Sequence, residues 1–183
     1  MTTVTLEQML TARDARAARQ AAMAQRFGLW GMRGSGAEGA GPGVGSPQAV
    51  GALVSVTLVV PGPVKTPPWA KRVFAAAMTE VEALEPEHVE VHDGVDGPSG
   101  LAVVLGRDAV SVKQALVEVE ETHLWGRLFD LDIVREGVPV QRSEIGAPPR
   151  RCLVCGGPAA PCARARVHDL AALDAAIEEL LCS

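Results

Sequence analysis

Residues Gly126–Ile133 run Gly-Arg-Leu-Phe-Asp-Leu-Asp-Ile and set two carboxylates two residues apart inside an otherwise apolar, β-prone segment. On a strand, the two-residue side-chain period points Asp130 and Asp132 to one face and Phe129, Leu131 and Ile133 to the other. A fold built on this strand must bury one face and still accommodate two charges on the opposite one. Hard cations such as Mg²⁺ take oxygen ligands from one or two carboxylates together with substrate phosphates, so the pair points to phosphoryl or nucleotidyl transfer. A solvated strand face is the competing reading of the same spacing.

The chain has 183 residues, enough for one well-buried core, and a formal charge of −5, which argues against nucleic acid as a partner because backbone-phosphate binding needs a basic excess. The positive charge is uneven: Arg142, Arg150, Arg151, Arg164 and Arg166 crowd the C-terminal quarter, a pattern suited to a multiply charged phosphate ligand. No tyrosine is present, and the few aromatics speak against base-stacking platforms. No stretch has the apolar length of a membrane span, and the N-terminus is a charged helix pattern instead of an apolar signal core, so the expectation is a cytoplasmic protein without a membrane partner. Its cysteines are then reduced.

Thr5–Arg26 forms one helix, with Leu6, Met9, Leu10 and a run of alanines as its apolar positions and Arg13, Arg16 and Arg19 on a solvated face. Residues 31–51 are dominated by Gly, Pro, Ser and Ala and read as a flexible insertion within the domain. Ala52–Val60 is a β-branched strand that ends at Pro61-Gly62-Pro63-Val64-Lys65, a rigid turn whose lysine either reaches a phosphate or sits in solvent. Pro68–Leu84 carries a helical stripe; Val89–His92 and Leu101–Leu105 are strands around a turn-rich stretch. Leu116–Glu120 alternates and predicts a strand with Glu118 and Glu120 on one face, folded back by a turn over Thr122–Gly126 against the strand of Asp130 and Asp132. A short strand over Val138–Arg142, an extended Pro148–Cys152 and a helix from Asp169 to Leu181 complete the chain. The pattern predicts a single α+β domain over residues 1–183, with a mixed or antiparallel sheet flanked by helices and a C-terminal Cys/His loop and helix.

Cys152-x2-Cys155-x6-Cys162-x5-His168 has ligand types and spacings that suit a tetrahedral Zn²⁺. Reduced cysteines packed in a small loop, with His168 in an ordinary hydrogen bond, are the alternative.

Ordered blocks along nearly the whole chain resemble a known family. They are Ala12-Arg13-Asp14-x-Arg16-x3-Gln20, Pro61-Gly62-Pro63-Val64-Lys65, Arg72 with Phe74, Gly97-Pro98, Lys113, Glu118-x-Glu120-x2-His123, Gly126-Arg127-Leu128-Phe129-Asp130-Leu131-Asp132, and Arg151-Cys152-Leu153-x-Cys155 followed by Ala159, Cys162, Arg164 and His168. Together they resemble the holo-acyl-carrier-protein synthases of citrate lyase, the apo-citrate lyase phosphoribosyl-dephospho-CoA transferases. The Gly-rich insertion, Asp96 in place of an expected threonine and Trp125 in place of an expected leucine depart from the family pattern and bear on loop geometry.

The resemblance implies transfer of a phosphoribosyl-dephospho-CoA group from 2'-(5''-triphosphoribosyl)-3'-dephospho-CoA to a serine of the acyl carrier subunit of citrate lyase, with release of diphosphate, on a nucleotidyltransferase-like fold. In that chemistry Asp130 and Asp132 hold Mg²⁺, Glu118 or Glu120 is the third carboxylate or general base, and Lys65, Arg72, Lys113 and Arg127 bind the triphosphate. A related transferase for the malonate decarboxylase carrier and a noncatalytic, zinc-stabilised carrier-binding module are the alternatives.

Overall fold

The computed structural model describes residues 3–30 and 50–182; most of the Gly-rich insertion expected over residues 31–51 lies outside the described residues. Five strands, β1 (Gly51–Leu58), β2 (His88–Gly94), β3 (Gly97–Leu105), β4 (Phe129–Arg135) and β5 (Val138–Pro139), form one antiparallel sheet in the order β2-β3-β1-β4-β5. The helices among the described residues are α1 (Leu6–Arg26), α2 (Ala70–Glu82), α3 (Ala109–Thr122), α4 (Ala159–Ala165) and α5 (Leu170–Cys182). The α+β class and the antiparallel sheet match the sequence-based expectation. No helix of the described residues is long and apolar enough to cross a membrane.

The larger core lies on one face of the sheet, where Val54, Val56, Leu131 and Ile133 meet Val73, Phe74, Ala77 and Val81 of α2, Val112 and Leu116 of α3, and Ile177 of α5. Phe129 and Leu131 are fully buried, as the alternation of β4 requires. A smaller cluster of Met23, Ala24, Leu53, Leu101, Val103 and Val134 lies on the opposite face under α1. The same face turns polar further along, at Ser55, Thr57, Asp130 and Asp132, and Ser55 pairs across with Asp132 and Thr57 with Asp130.

Helix α1 follows this change. Thr5 caps it in a reciprocal capping box with Gln8. Its C-terminal half packs Met23 and Ala24 on the apolar end, whereas Gln20 donates to Ser55 Oγ at 3.0 Å on the polar end. The helix stands where it was predicted, but its inward face is a different one. Leu6 and Leu10 are 76% and 50% exposed, and Arg16, expected in solvent, is partly buried against Asp96.

The strand predicted over Leu116–Glu120 is a correction: these residues lie in α3. Asp108 caps that helix by accepting from the N–H groups of Val110 and Ser111, each at 3.0 Å, and Val112, Leu116, Val117 and Glu120 make its buried stripe. Cap and core packing outweigh the β preference of the valines. Two residues apart on a helix are about 200° apart around its axis, so Glu118 is exposed while Glu120 is buried. The hairpin expected around Thr122–Gly126 is likewise absent. A 3₁₀ turn, Gly126–Leu128, leads from α3 into β4, which pairs with β1. The predicted strand over Val138–Arg142 shrinks to Val138–Pro139, and Arg142 opens a second 3₁₀ turn.

Candidate active site

Among the described residues, strand β4 has a strand neighbour beyond β1 only at Val134 and Arg135, where β5 pairs with it. Along Phe129–Leu131 its outer edge is met by side chains. Arg150 Nη1 donates to the Phe129 carbonyl at 2.6 Å, Leu131 N–H donates to Glu120 Oε1 at 3.0 Å, and Lys113 Nζ donates to the Leu131 carbonyl at 2.8 Å. An open edge is thereby closed without another strand, which satisfies buried backbone groups and blocks edge-to-edge pairing.

These side chains also order the charges around the acidic pair. Glu120, 2% exposed, sits between the guanidinium groups of Arg142 and Arg150, and Arg142 reaches Glu121 as well. Burial works against the charge on Arg142, but the hydrogen bonds it donates to Glu121 and Glu120 outweigh it and raise its pKa above the ordinary value. Lys113, 3% exposed, pairs with Asp132 Oδ1 at 3.0 Å, and Arg150 lies 3.5 Å from Asp130 Oδ1. Thr57 donates to Asp130 Oδ2 at 2.8 Å. Asp130 and Asp132 do share a strand face and remain 42% and 37% exposed.

Asp130 opens onto a cleft of about 180 Å³ shared with Arg16, Thr57, Lys65 and Asp96. Lys65 donates to the Val60 carbonyl at 2.6 Å, and burial lowers its pKa. The start of β3 at Gly97-Pro98, expected as a turn, is pressed against this lysine: Gly97 has φ +102°, and a Cβ there would lie 2.9 Å from the Lys65 carbonyl oxygen. Of the other expected binding residues, Arg72 is exposed and stacks 5.0 Å over the Trp125 ring, and Arg127 donates to the Cys152 carbonyl. Gly126 is glycine because of close approach: a Cβ there would sit 2.6 Å from the carbonyl oxygens of Val119 and Glu120.

On the far side of Arg150, the four ligand atoms of Cys152, Cys155, Cys162 and His168 lie within 4.8 Å of one another. Residues 152–157 form a tight knuckle, with Cys152 N–H donating to the Gly157 carbonyl and Gly156 at φ +70°. His168 Nε2 is buried without a hydrogen-bond partner, and the Cys155 and Cys162 sulfurs are 3.6 Å apart. Contact with Cys155, then burial, pushes the Cys162 thiol up to about 11. Burial opposes ionisation of Cys152, but hydrogen bonds from Cys155 and Val154 N–H and from the neighbouring thiols lower its pKa. Three convergent sulfurs and an orphaned imidazole nitrogen fit a thiolate-binding metal such as zinc better than a packed loop.

The family model for apo-citrate lyase phosphoribosyl-dephospho-CoA transferase matches residues 46–183. The chain belongs to this family. A transferase of that name from Escherichia coli O1:K1 / APEC is 32% identical over 185 residues, covering 97% of this chain and 88% of the relative. One from Shigella boydii serotype 18 is 36% identical over 136 residues, covering 70% of this chain and 74% of the relative. Within this transferase family member, the structure brings Lys65, Lys113 and Glu120 to the strand that carries Asp130 and Asp132, turns Arg127 to the Cys/His loop, and leaves Glu118 on the outer side of α3 and Arg72 over Trp125. Sequence reasoning missed Arg16 and Thr57 as cleft residues and Arg150 as the bridge between Glu120 and Asp130. The Arg16–Gln20 spacing of one helical turn was the available signal for an inward-facing polar stripe.

Proposed function

We propose that this chain transfers the phosphoribosyl-dephospho-CoA group from its triphosphate-activated precursor to a serine of the apo acyl carrier subunit of citrate lyase. The observation that supports the reading is Arg150, which touches Asp130 on one side and lines an arginine-rich groove on the other, joining an acidic pair to a wall suited to phosphates. The serine oxygen attacks the phosphorus nearest the ribose, the new P–O bond forms as the bond to the β-phosphate breaks, and diphosphate leaves with the electron pair. A carboxylate of the Asp130/Asp132 pair takes the serine proton. Lys65 and Arg150 neutralise the triphosphate.

Asp130 and Asp132 are the residues that would hold Mg²⁺. Their hard oxygens, their shared face and the 3.5 Å separation between Asp130 and Arg150, a contact that a cation or phosphate can replace, suit this role. The ion would supply charge neutralisation on the phosphates. Lys113, engaged by Leu131 and Asp132, positions the pair, and Glu120 organises Arg142 and Arg150 instead of acting as the base. Cys152, Cys155, Cys162 and His168 would hold Zn²⁺ as a structural ion.

The test is intact-mass measurement of the unmodified citrate lyase carrier subunit after incubation with precursor and Mg²⁺, with the malonate decarboxylase carrier as the comparison. The expected result is a mass gain of one phosphoribosyl-dephospho-CoA unit on the citrate lyase subunit alone. Asp130→Asn and Asp132→Asn should fold and lose most of the transfer; either variant transferring at the wild-type rate in limiting Mg²⁺ removes the metal role.

A further inference from the structure

A groove of about 1140 Å³ runs between the Val59–Gly62 segment, the Cys/His loop and the start of α5. Its charge is lopsided for a protein of formal charge −5: among the described residues Arg127, Arg150, Arg151 and Arg166 line it against a single acid, Asp169. That carboxylate already accepts from Ala172 N–H at 2.8 Å. Two of the guanidinium groups are fixed by backbone carbonyls, Arg127 by Cys152 and Arg150 by Phe129, so they are held in place before any ligand arrives. Arg127 Nε is buried and has no hydrogen-bond partner. Arg166 closes α4 in the left-handed conformation, φ 48°, where glycine is the ordinary residue. Between these cations the walls are apolar, at Val59, Leu153 and Leu173.

Resting on the function proposed above, we propose that this groove binds the dephospho-CoA portion of the precursor, with Arg127, Arg151 and Arg166 on its internal diphosphate, while the reacting triphosphate lies in the Asp130/Lys65 cleft. The precursor carries two polyphosphates, and the arginine-lined groove adjoins the Asp130 cleft, where Arg16 and Lys65 stand beside Asp96 and Asp130. Val60 lines both, and Arg150 reaches from the groove to Asp130. The long, partly apolar pantetheine arm matches the groove's size and walls, and bidentate guanidinium contacts match a diphosphate. The Cys/His loop is then a wall of the substrate site.

Dephospho-CoA itself is the probe, titrated calorimetrically into the full-length protein without carrier, Mg²⁺ or precursor. The expected result is saturable binding that inorganic triphosphate leaves in place and that falls at least about tenfold in Arg151→Ala, with partial recovery in Arg151→Lys. Arg166→Gly separates binding from folding, because glycine relieves the left-handed backbone: its thermal midpoint should hold or rise while dephospho-CoA affinity falls. Wild-type affinity in both Arg151→Ala and Arg166→Gly, absence of binding, or full displacement by triphosphate would overturn the proposal. Transfer to the carrier with any of these results would leave the function standing and remove the groove assignment. Groove binding without transfer to any carrier would do the reverse.

Discussion

At the residue scale, Glu120 has the most consequences per atom. Its carboxylate is 2% exposed and serves two arginines and the Leu131 N–H. Glu120→Gln keeps the shape but leaves Arg142 and Arg150 without their shared counter-charge, and losing one partner of a buried ion pair costs about 3–5 kcal/mol. Urea unfolding should therefore show a loss of several kcal/mol; a variant of native stability with abolished turnover would instead restore Glu120 as the base. Gly126→Ala is expected to destabilise by about 1–3 kcal/mol through overpacking. A thermal midpoint equal to wild type would mean that the turn opens freely. Neither role was legible from residue type. Glutamate at alternating positions fits a strand face as well as a helix, and a glycine before Arg-Leu does not reveal which carbonyls lie beside it.

At the scale of elements, the Cys/His loop is held to the rest of the site by Arg127 on the Cys152 carbonyl and by Ala159 N–H on the Arg150 carbonyl at 2.8 Å. A thiolate-bound metal contributes folding free energy to the segment that carries its ligands. Protein purified without added zinc should hold close to one metal equivalent, lost in Cys155→Ser, and limited proteolysis of that variant should cut within residues 150–168. Because the loop walls the groove, its loss should raise the KM for the precursor more than it changes binding of the carrier; metal-free protein with unchanged KM and protease resistance would make the cluster a packing feature. The spacing of the cysteines exposed this element in the sequence, since ligand identity and separation are local. Helix α3 was hidden for the opposite reason: its valines carry β preference, and only the Asp108 cap and the core beneath Val112 and Leu116 decide the outcome.

For the whole molecule, the described residues on either side of the Gly-rich segment meet. A Cβ at Gly51 would lie 2.8 Å from Leu29 Cδ2, and Trp30 donates to the Val134 carbonyl at 3.2 Å. Replacing residues 32–48 with a short Gly-Ser linker is therefore expected to leave the thermal midpoint and the transfer rate nearly unchanged, because loop-closure entropy varies slowly with length. Loss of transfer at an unchanged midpoint would assign the segment to the substrate site. The amino-acid sequence by itself determined the α+β class, the burial of Phe129, Leu131 and Ile133 opposite Asp130 and Asp132, and the metal-type spacing of the cysteines, because each follows from a local period or separation. Only the tertiary structure decided that α1 turns Arg16 and Gln20 inward, that α3 is helical, and that side chains instead of a strand close the β4 edge. Those outcomes depend on which surfaces are left to be covered once the sheet has formed, and no window of the chain contains that information.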